Sequence, residues 1–373
     1  MIELPGIPFV DLAAHHAPIR EELDRAIDAV IDASQFVRGP AVAEFESAFA
    51  AYCQSENCVG VGNGTDALEL AIDALGLPRG AEVITTPTTF VATAEAIVRT
   101  GFRPRLVDVD PDTWQLDPRA LRGGLGSDVG AVIAVHLYGT PAPMVEIDRL
   151  LEGSGVACIE DAAQAHGAAY AGRRVGSLGR VAAFSFYPGK NLGAFGDAGA
   201  VVTADAELAE RVRRLGDHGR AGRHRHEVVG RNSRLDTMQA AVLLVKLARL
   251  DEANARRRAI AARYRSGLDD VPEVDLPVED QDATSVHHLF AVGCDVRDAL
   301  SEHLRGEGIA TGMHYPVPVH LQPAFRDLGY SRGDFPHAER IADRTLSLPM
   351  YPELPDGAVE RVCDTIRKYF GAH

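Results

Sequence analysis

Lysine is nearly missing from this chain: of 38 basic residues in 373, only Lys190, Lys246 and Lys368 carry a primary amine. Any chemistry that needs such an amine has three side chains to draw on. Cysteine is also scarce. Cys53, Cys58, Cys158, Cys294 and Cys363 are odd in number and contain no C-x-x-C pair, so buried reduced thiols are the simpler reading. No apolar run reaches the length of a membrane span, and residues 1–10 lack a basic stretch followed by an apolar one. A cytoplasmic location away from membranes is expected. Positive charge is short too. The 53 acidic residues leave a formal charge of -15, which opposes the long-range attraction that nonspecific nucleic-acid or anionic-membrane binding relies on. A few arginines inside a pocket can still hold an anionic substrate.

A chain of this length exceeds what one hydrophobic core usually supports. With 46% hydrophobic and 24% charged residues, it has the composition of an ordinary globular protein. Apolar residues recur at helical spacing over 18–31, and again over 45–52 after Gly39-Pro40. A strand at 58–61, the turn Gly62-Asn63-Gly64-Thr65 and an amphipathic run over 66–75 follow. Short β-rich and helical runs then alternate at 82–85, 92–98, 105–109, 131–135, 144–151 and 156–160. This alternation predicts an α/β fold with a mostly parallel sheet sandwiched by helices. Strand-like stretches at 182–186 and 199–203 flank a glycine-rich loop over 188–196. One long helix over 236–264 is expected to bridge two domains. Beyond it come a strand near 288–292 and helices near 297–306 and 358–370. The expected division is a large domain over 1–255 and a smaller C-terminal α/β domain over 256–373.

Three places carry chemistry. Lys190 follows an apolar strand and enters a glycine loop, where desolvation would lower its pKa and make it a nucleophile and proton carrier; the alternative is a surface lysine beside a turn, which is the expected state of Lys246 and Lys368. The segment Glu160 to His166 stands directly after the strand at 156–159, which places Asp161 at the carboxyl end where ligands bind in parallel sheets. There it could hold a pyridine nitrogen protonated, or simply cap a helix. The Gly64-Thr65 turn opens a helix whose free amides can hold a phosphate, although many tight turns look the same and bind nothing.

Taken together these residues resemble the DegT/StrS-type sugar aminotransferases, fold type I enzymes that use pyridoxal 5'-phosphate (PLP). The resemblance runs through residues 36–49, 64–68, 86–93, 160–167, 184–199, 230–236, 239–241 and 314–316. It implies that Lys190 carries PLP as a Schiff base, Asp161 pairs with the pyridine nitrogen, Gln164 contacts the ring hydroxyl and Phe90 stacks on the ring. The phosphate would be held by Gly64, Thr65, Ser185 and, from a second subunit, Asn232. A homodimer with shared active sites is implied, as is a cycle through pyridoxamine 5'-phosphate with L-glutamate as donor. The segment Tyr187-Pro188-Gly189-Lys190-Asn191 resembles the branch that aminates C3 of nucleotide-linked 3-keto-6-deoxyhexoses rather than C4, in deoxyamino sugar synthesis for antibiotics or surface glycans. In that branch Tyr187, His314 and Tyr315 match sugar-nucleotide contacts. Arg220, Arg223 and Arg234 are candidates for the diphosphate, or else solvated surface. The imidazoles of His224 and His226 lack a third ligand at metal spacing, so no metal is expected. Two rivals remain: a PLP-dependent sugar dehydratase, which Lys190 argues against because relatives of that type often have histidine there, and a regulatory protein without turnover.

Overall fold

A computed structural model describes residues 6–371. The ends of the two expected domain ranges, residues 1–5 and 372–373, lie outside the described residues.

Seven strands form the main sheet: β1 (Asn57–Val61), β2 (Glu82–Thr85), β3 (Arg103–Leu106), β4 (Val129–Val135), β5 (Ala157–Asp161), β6 (Val181–Ser185) and β7 (Gly199–Thr203). Their spatial order is β1-β7-β6-β5-β4-β2-β3. Only β7 runs against its neighbours; the other pairings are parallel. The carboxyl ends of β1, β2, β4, β5 and β6 therefore open on one edge of the sheet. Register places Asp161 beside Val135 and Ala183, and Ser185 beside Gly199.

Alternation along the strands divides the interior. Ala182, Phe184, Ala200 and Val202 face one layer with Phe45 and Phe49, while Val181, Ala183, Val201 and Ile159 face the other with Leu68, Leu70 and Ile72. This period of two is what a sheet covered on both faces requires. Phe49 meets Phe184 and Phe186 edge to face at 4.9 and 5.2 Å, contacts that each add about 0.5–1.5 kcal/mol beyond burial alone.

A second core is built on β8 (Phe290–Gly293) and β9 (Thr345–Leu348), an antiparallel pair, with the helices Leu250–Leu268, Arg297–Gly306 and Ala358–Phe370. Tyr264, Val292, Leu300, Leu346 and Val362 fill it. Ile7 joins them through a bridge to Ile309, so the first described residues pack on the C-terminal part. The helix Leu250–Leu268 spans the residue-255 boundary. Among the described residues no helix is long and apolar enough to cross a membrane.

The single helix expected over 236–264 is two, Thr237–Leu247 and Leu250–Leu268. They serve different cores: Ala240 and Leu243 pack with Phe45, whereas Ile260 and Tyr264 pack with Val292. No glycine or proline marks the break, which is why periodicity ran through it.

Neighbouring residues on β5 point to opposite faces, and Glu160 points away from Asp161 into a fully buried site. Its carboxylate accepts from the Gly176, Leu178 and Gly179 amides at 2.8–2.9 Å and from His136 Nε2 at 3.0 Å. His136 Nδ1 accepts from the Ala142 amide, which leaves the proton on Nε2. Four donors thus converge on one side chain and fix the 176–179 turn beneath β5. Glu160→Ala would leave them without a partner, and urea denaturation should report a loss of about 3 kcal/mol or more.

Candidate active site

A cavity of about 840 Å³ opens at the carboxyl ends of the strands. Gly64, Thr65, Phe90, Asp161, Gln164, Ser185, Tyr187, Lys190, His314 and Tyr315 all line it. Their sources are the β1 turn, the segment after β2, β5 with its following turn, the end of β6 and the 186–198 loop, and the 314–315 segment of the C-terminal part. That loop closes tightly: a Cβ on Gly193 would lie 2.3 Å from the Pro188 carbonyl oxygen. The Lys190 amide is held to the Tyr187 carbonyl at 2.8 Å.

Asp161 is 6% exposed. Thr93 Oγ1 donates to Oδ2 at 2.7 Å, and the Ala163 amide donates to Oδ1 at 3.2 Å. Since the Thr93 proton goes to the carboxylate, Thr89 is the donor in the 2.7 Å contact between the two hydroxyls. Lys190 Nζ makes no hydrogen bond among the described residues. Burial lowers its pKa to about 8, against the opposing pull of the Asp161 charge. The nearby imidazoles are pushed toward the neutral form by burial and by the Lys190 charge: His166 to about 3, His314 to about 4, and His288 well below its ordinary value.

Two further features fix what the cavity can hold. The Gln164 amide has one orientation, because Oε1 accepts from the Tyr138 amide at 2.6 Å and Nε2 donates to the Tyr315 hydroxyl at 3.1 Å; it therefore offers N–H to an acceptor in the cavity. At the start of the helix Gly64–Leu75, Asn63 Oδ1 accepts from the Asp66 amide, and the Gly64 and Thr65 amides have no partner among the described residues. A Cβ on Gly64 would lie 2.5 Å from Ser185 Cβ, so only glycine lets these amides sit against the serine.

Not every expected residue converges. Asn232, Arg220, Arg223 and Arg234 do not line the cavity of their own chain. Asn232 and Arg223 are exposed. Arg220 and Arg234 reach the buried carboxylate of Asp217 at 3.4 and 3.0 Å, together with Arg38 at 2.8 Å. Lys246 corrects an expectation: it is 5% exposed, not a surface lysine, and its Nζ donates to the Gly193 carbonyl at 2.5 Å and to His16 Nε2 at 3.0 Å. Helix Thr237–Leu247 packs against Arg20–Ala33, and the same packing turns Lys246 inward. Lys368 is exposed as expected.

Sequence reading also missed several residues that shape the site. Phe9 stacks on His314 at 5.7 Å. A relay of amides stands behind Lys190: Asn254 Nδ2 donates to the His166 carbonyl, and Asn191 Nδ2 donates to Asn254 Oδ1 and the Val286 carbonyl. Asn191 Oδ1 must then accept from His288 Nδ1 at 3.2 Å, which leaves His288 Nε2 as a bare acceptor. The asparagine that follows Lys190 is the one local signal.

A desolvated amine, a buried carboxylate with acceptor capacity left, oriented amide donors and free helix amides fit PLP. The comparisons agree. A family model described as the DegT/DnrJ/EryC1/StrS aminotransferase family matches residues 18–367. The chain belongs to this family. A relative from Streptomyces venezuelae, dTDP-3-amino-3,4,6-trideoxy-alpha-D-glucose transaminase, is 48% identical over 98% of this chain and 97% of its own. The crystal structure of S. venezuelae DesV in complex with a ketimine intermediate superposes with a TM-score of 0.96 at 48% identity, covering 98% of this chain and 99% of that one. NtdA from Bacillus subtilis, with bound pyridoxamine phosphate, superposes at 0.92 with 28% identity, covering 99% and 86%.

As a member of the DegT/DnrJ/EryC1/StrS family the protein is a PLP-dependent aminotransferase. The chemistry that PLP supplies when bound is an electron sink for a carbanion. Gly64, Thr65 and Ser185 would hold its phosphate, Asp161 its ring nitrogen and Gln164 its hydroxyl, while Phe90, with its ring 5.5 Å from that of Tyr315, walls the cavity. Lys190 would be the amine that condenses with its aldehyde and, once released, moves a proton.

Because the free amine is the nucleophile, the rate at which apoenzyme captures the aldehyde should rise with pH and level off above about 8. Thr93→Val removes a hydrogen bond to a buried carboxylate, so it should lower kcat about 10- to 100-fold while stopped-flow traces still show cofactor bound.

Proposed function

We propose that this protein transfers the amino group of L-glutamate to C3 of a nucleotide-linked 3-keto-6-deoxyhexose, working as a homodimer whose sites are shared. The observation that supports it most is the 48% identity, over nearly the whole of both chains, to a transaminase named for a dTDP-3-amino sugar. The site is compatible in chemistry. Lys190 is present, as amination requires, and the wall made by Phe9, Phe90, His314 and Tyr315 offers the flat apolar and hydroxyl-bearing surface that sugars use.

In this reading Lys190 moves the proton from the donor Cα in the first half-reaction and returns one to the sugar carbon in the second. Asp161 supplies the fixed negative charge that favours a cationic ring throughout. Asn232 enters the neighbouring subunit's site. Support comes from Phe36 and Val37, about half exposed and joined to the 230–237 segment by the Val37–Asp236 bridge and the Thr237 amide to the Phe36 carbonyl. An exposed apolar pair beside the segment that carries Asn232 is the kind of surface a second copy covers.

Incubation with L-glutamate and a panel of 3-keto and 4-keto 6-deoxyhexose nucleotides, followed by mass and NMR analysis, should yield a C3 amine from the 3-keto substrates. Amination only at C4, or a deoxygenated product, contradicts the reading. Sharing of sites has its own test: separately inactive Lys190→Ala and Asn232→Ala proteins, mixed and allowed to exchange subunits, should recover about a quarter of wild-type activity, since half the dimers then hold one intact site. No recovery despite exchange would count against a shared site.

A further inference from the structure

Arg257 is the one arginine among the described residues that is more than nine-tenths buried, at 5% exposure. It stands on the helix Leu250–Leu268, one turn beyond Asn254, and lines the cavity beside His288 and Met350. Nη1 donates to the carbonyls of Met350, His287 and His288 at 3.0, 3.2 and 3.4 Å. Nε is buried with no partner. Neither Nη2 nor the guanidinium as a whole meets a hydrogen-bonded or ion-paired carboxylate among the described residues. Desolvation lowers the Arg257 pKa to about 10, which still leaves it charged at neutral pH.

The charge of Glu353 acts on Arg257 through space, without a hydrogen bond or ion pair, and a buried cation so weakly compensated is costly. Three carbonyls on Nη1 soften that cost and leave Nη2, which has no hydrogen-bond partner among the described residues, for an anion in the cavity. The phosphate of the cofactor has its own donors in Gly64, Thr65 and Ser185, at the ends of β1 and β6, whereas Arg257 is anchored to the 287–288 and 350 segments. His288 links the guanidinium to the reactive amine's segment: its Nδ1 meets Asn191, the residue after Lys190, and its carbonyl accepts from Arg257 Nη1. In an α-amino acid the carboxylate is bonded to the carbon that gives up its proton, and must lie close to the amine that takes it. The charge of a nucleoside diphosphate lies a sugar ring away from the reacting carbon.

We infer that Arg257 holds the α-carboxylate of the amino-acid donor, an inference that rests on the reading of this site as one that takes its amine from such a donor. A charge-assisted hydrogen bond from Nη2 would hold the carboxylate, which is bonded to Cα and so places that carbon.

The test is a calorimetric titration of holoenzyme with glutarate, a dicarboxylate that lacks the amine, alongside dTDP and the neutral diamide of glutarate. Wild type should bind glutarate, ignore the diamide, and bind glutarate equally well when saturated with dTDP. Arg257→Gln and Arg257→Lys should each weaken glutarate about 10- to 100-fold and raise the KM for glutamate in parallel, with dTDP affinity unchanged. Should Arg257→Gln fail to fold, because three carbonyls lose their donor, Arg257→Lys and the wild-type competition read the same quantity. Displacement of glutarate by dTDP, equal binding of the diamide, or unchanged glutarate affinity in a folded variant overturns the assignment. If glutarate binding depends on Arg257 yet glutamate donates no amine, the donor identity fails and the carboxylate subsite stands; if glutamate turns over and glutarate ignores position 257, the subsite alone fails.

Discussion

The site depends on a negative charge kept out of water and left partly unsatisfied. β5 ends in two adjacent buried carboxylates, and the pleat sends them to opposite faces. Glu160 receives four donors, which nearly exhaust what a carboxylate accepts, and so its role is to lock a turn. Asp161 receives two, from Thr93 and Ala163, and keeps acceptor capacity toward the cavity. Sequence position and burial are almost the same for the two residues. Unused hydrogen-bonding capacity separates the one proposed to meet the cofactor from the one that locks a turn.

The same distinction applies to the amines. Burial lowers Lys190 and Lys246 alike to about 8, but Lys246 gives its protons to the Gly193 carbonyl and His16 and lines a separate cavity of about 180 Å³. Lys190 has no such partners and faces Asp161 across the larger cavity. Both lysines act on the 186–198 loop, one from within and one from behind, since Gly193 lies three residues past Lys190. The loop is held by the hydrogen-bonded lysine and presents the one proposed to do the chemistry.

Local pattern carried much of the fold. The helices at 297–306 and 358–370 are found at their expected limits because each alternates apolar and charged residues with a clear stop at a glycine. Asp161 and Gly64 were legible because strand ends and helix starts place them by local rules alone. The misses share a cause: they depend on residues far apart in the chain. Lys246 is buried by contact with His16, and Arg257 is cradled by carbonyls from 287, 288 and 350. The Asn191–Asn254–His288 relay joins three segments. No spacing within one helix announces such meetings, and the helix break near residue 248 escaped notice because a change of core, not a change of residue type, produces it.

The central claim is that one amine, released from hydrogen bonds and set opposite Asp161, carries the cofactor. Borohydride reduction of the PLP-loaded protein, followed by peptide mapping, tests it most directly, because Lys246 offers an internal competitor whose pKa is likewise lowered by burial. The account requires the phosphopyridoxyl mass on the peptide containing Lys190 and on no other. A label on Lys246, or no label at all, would contradict it.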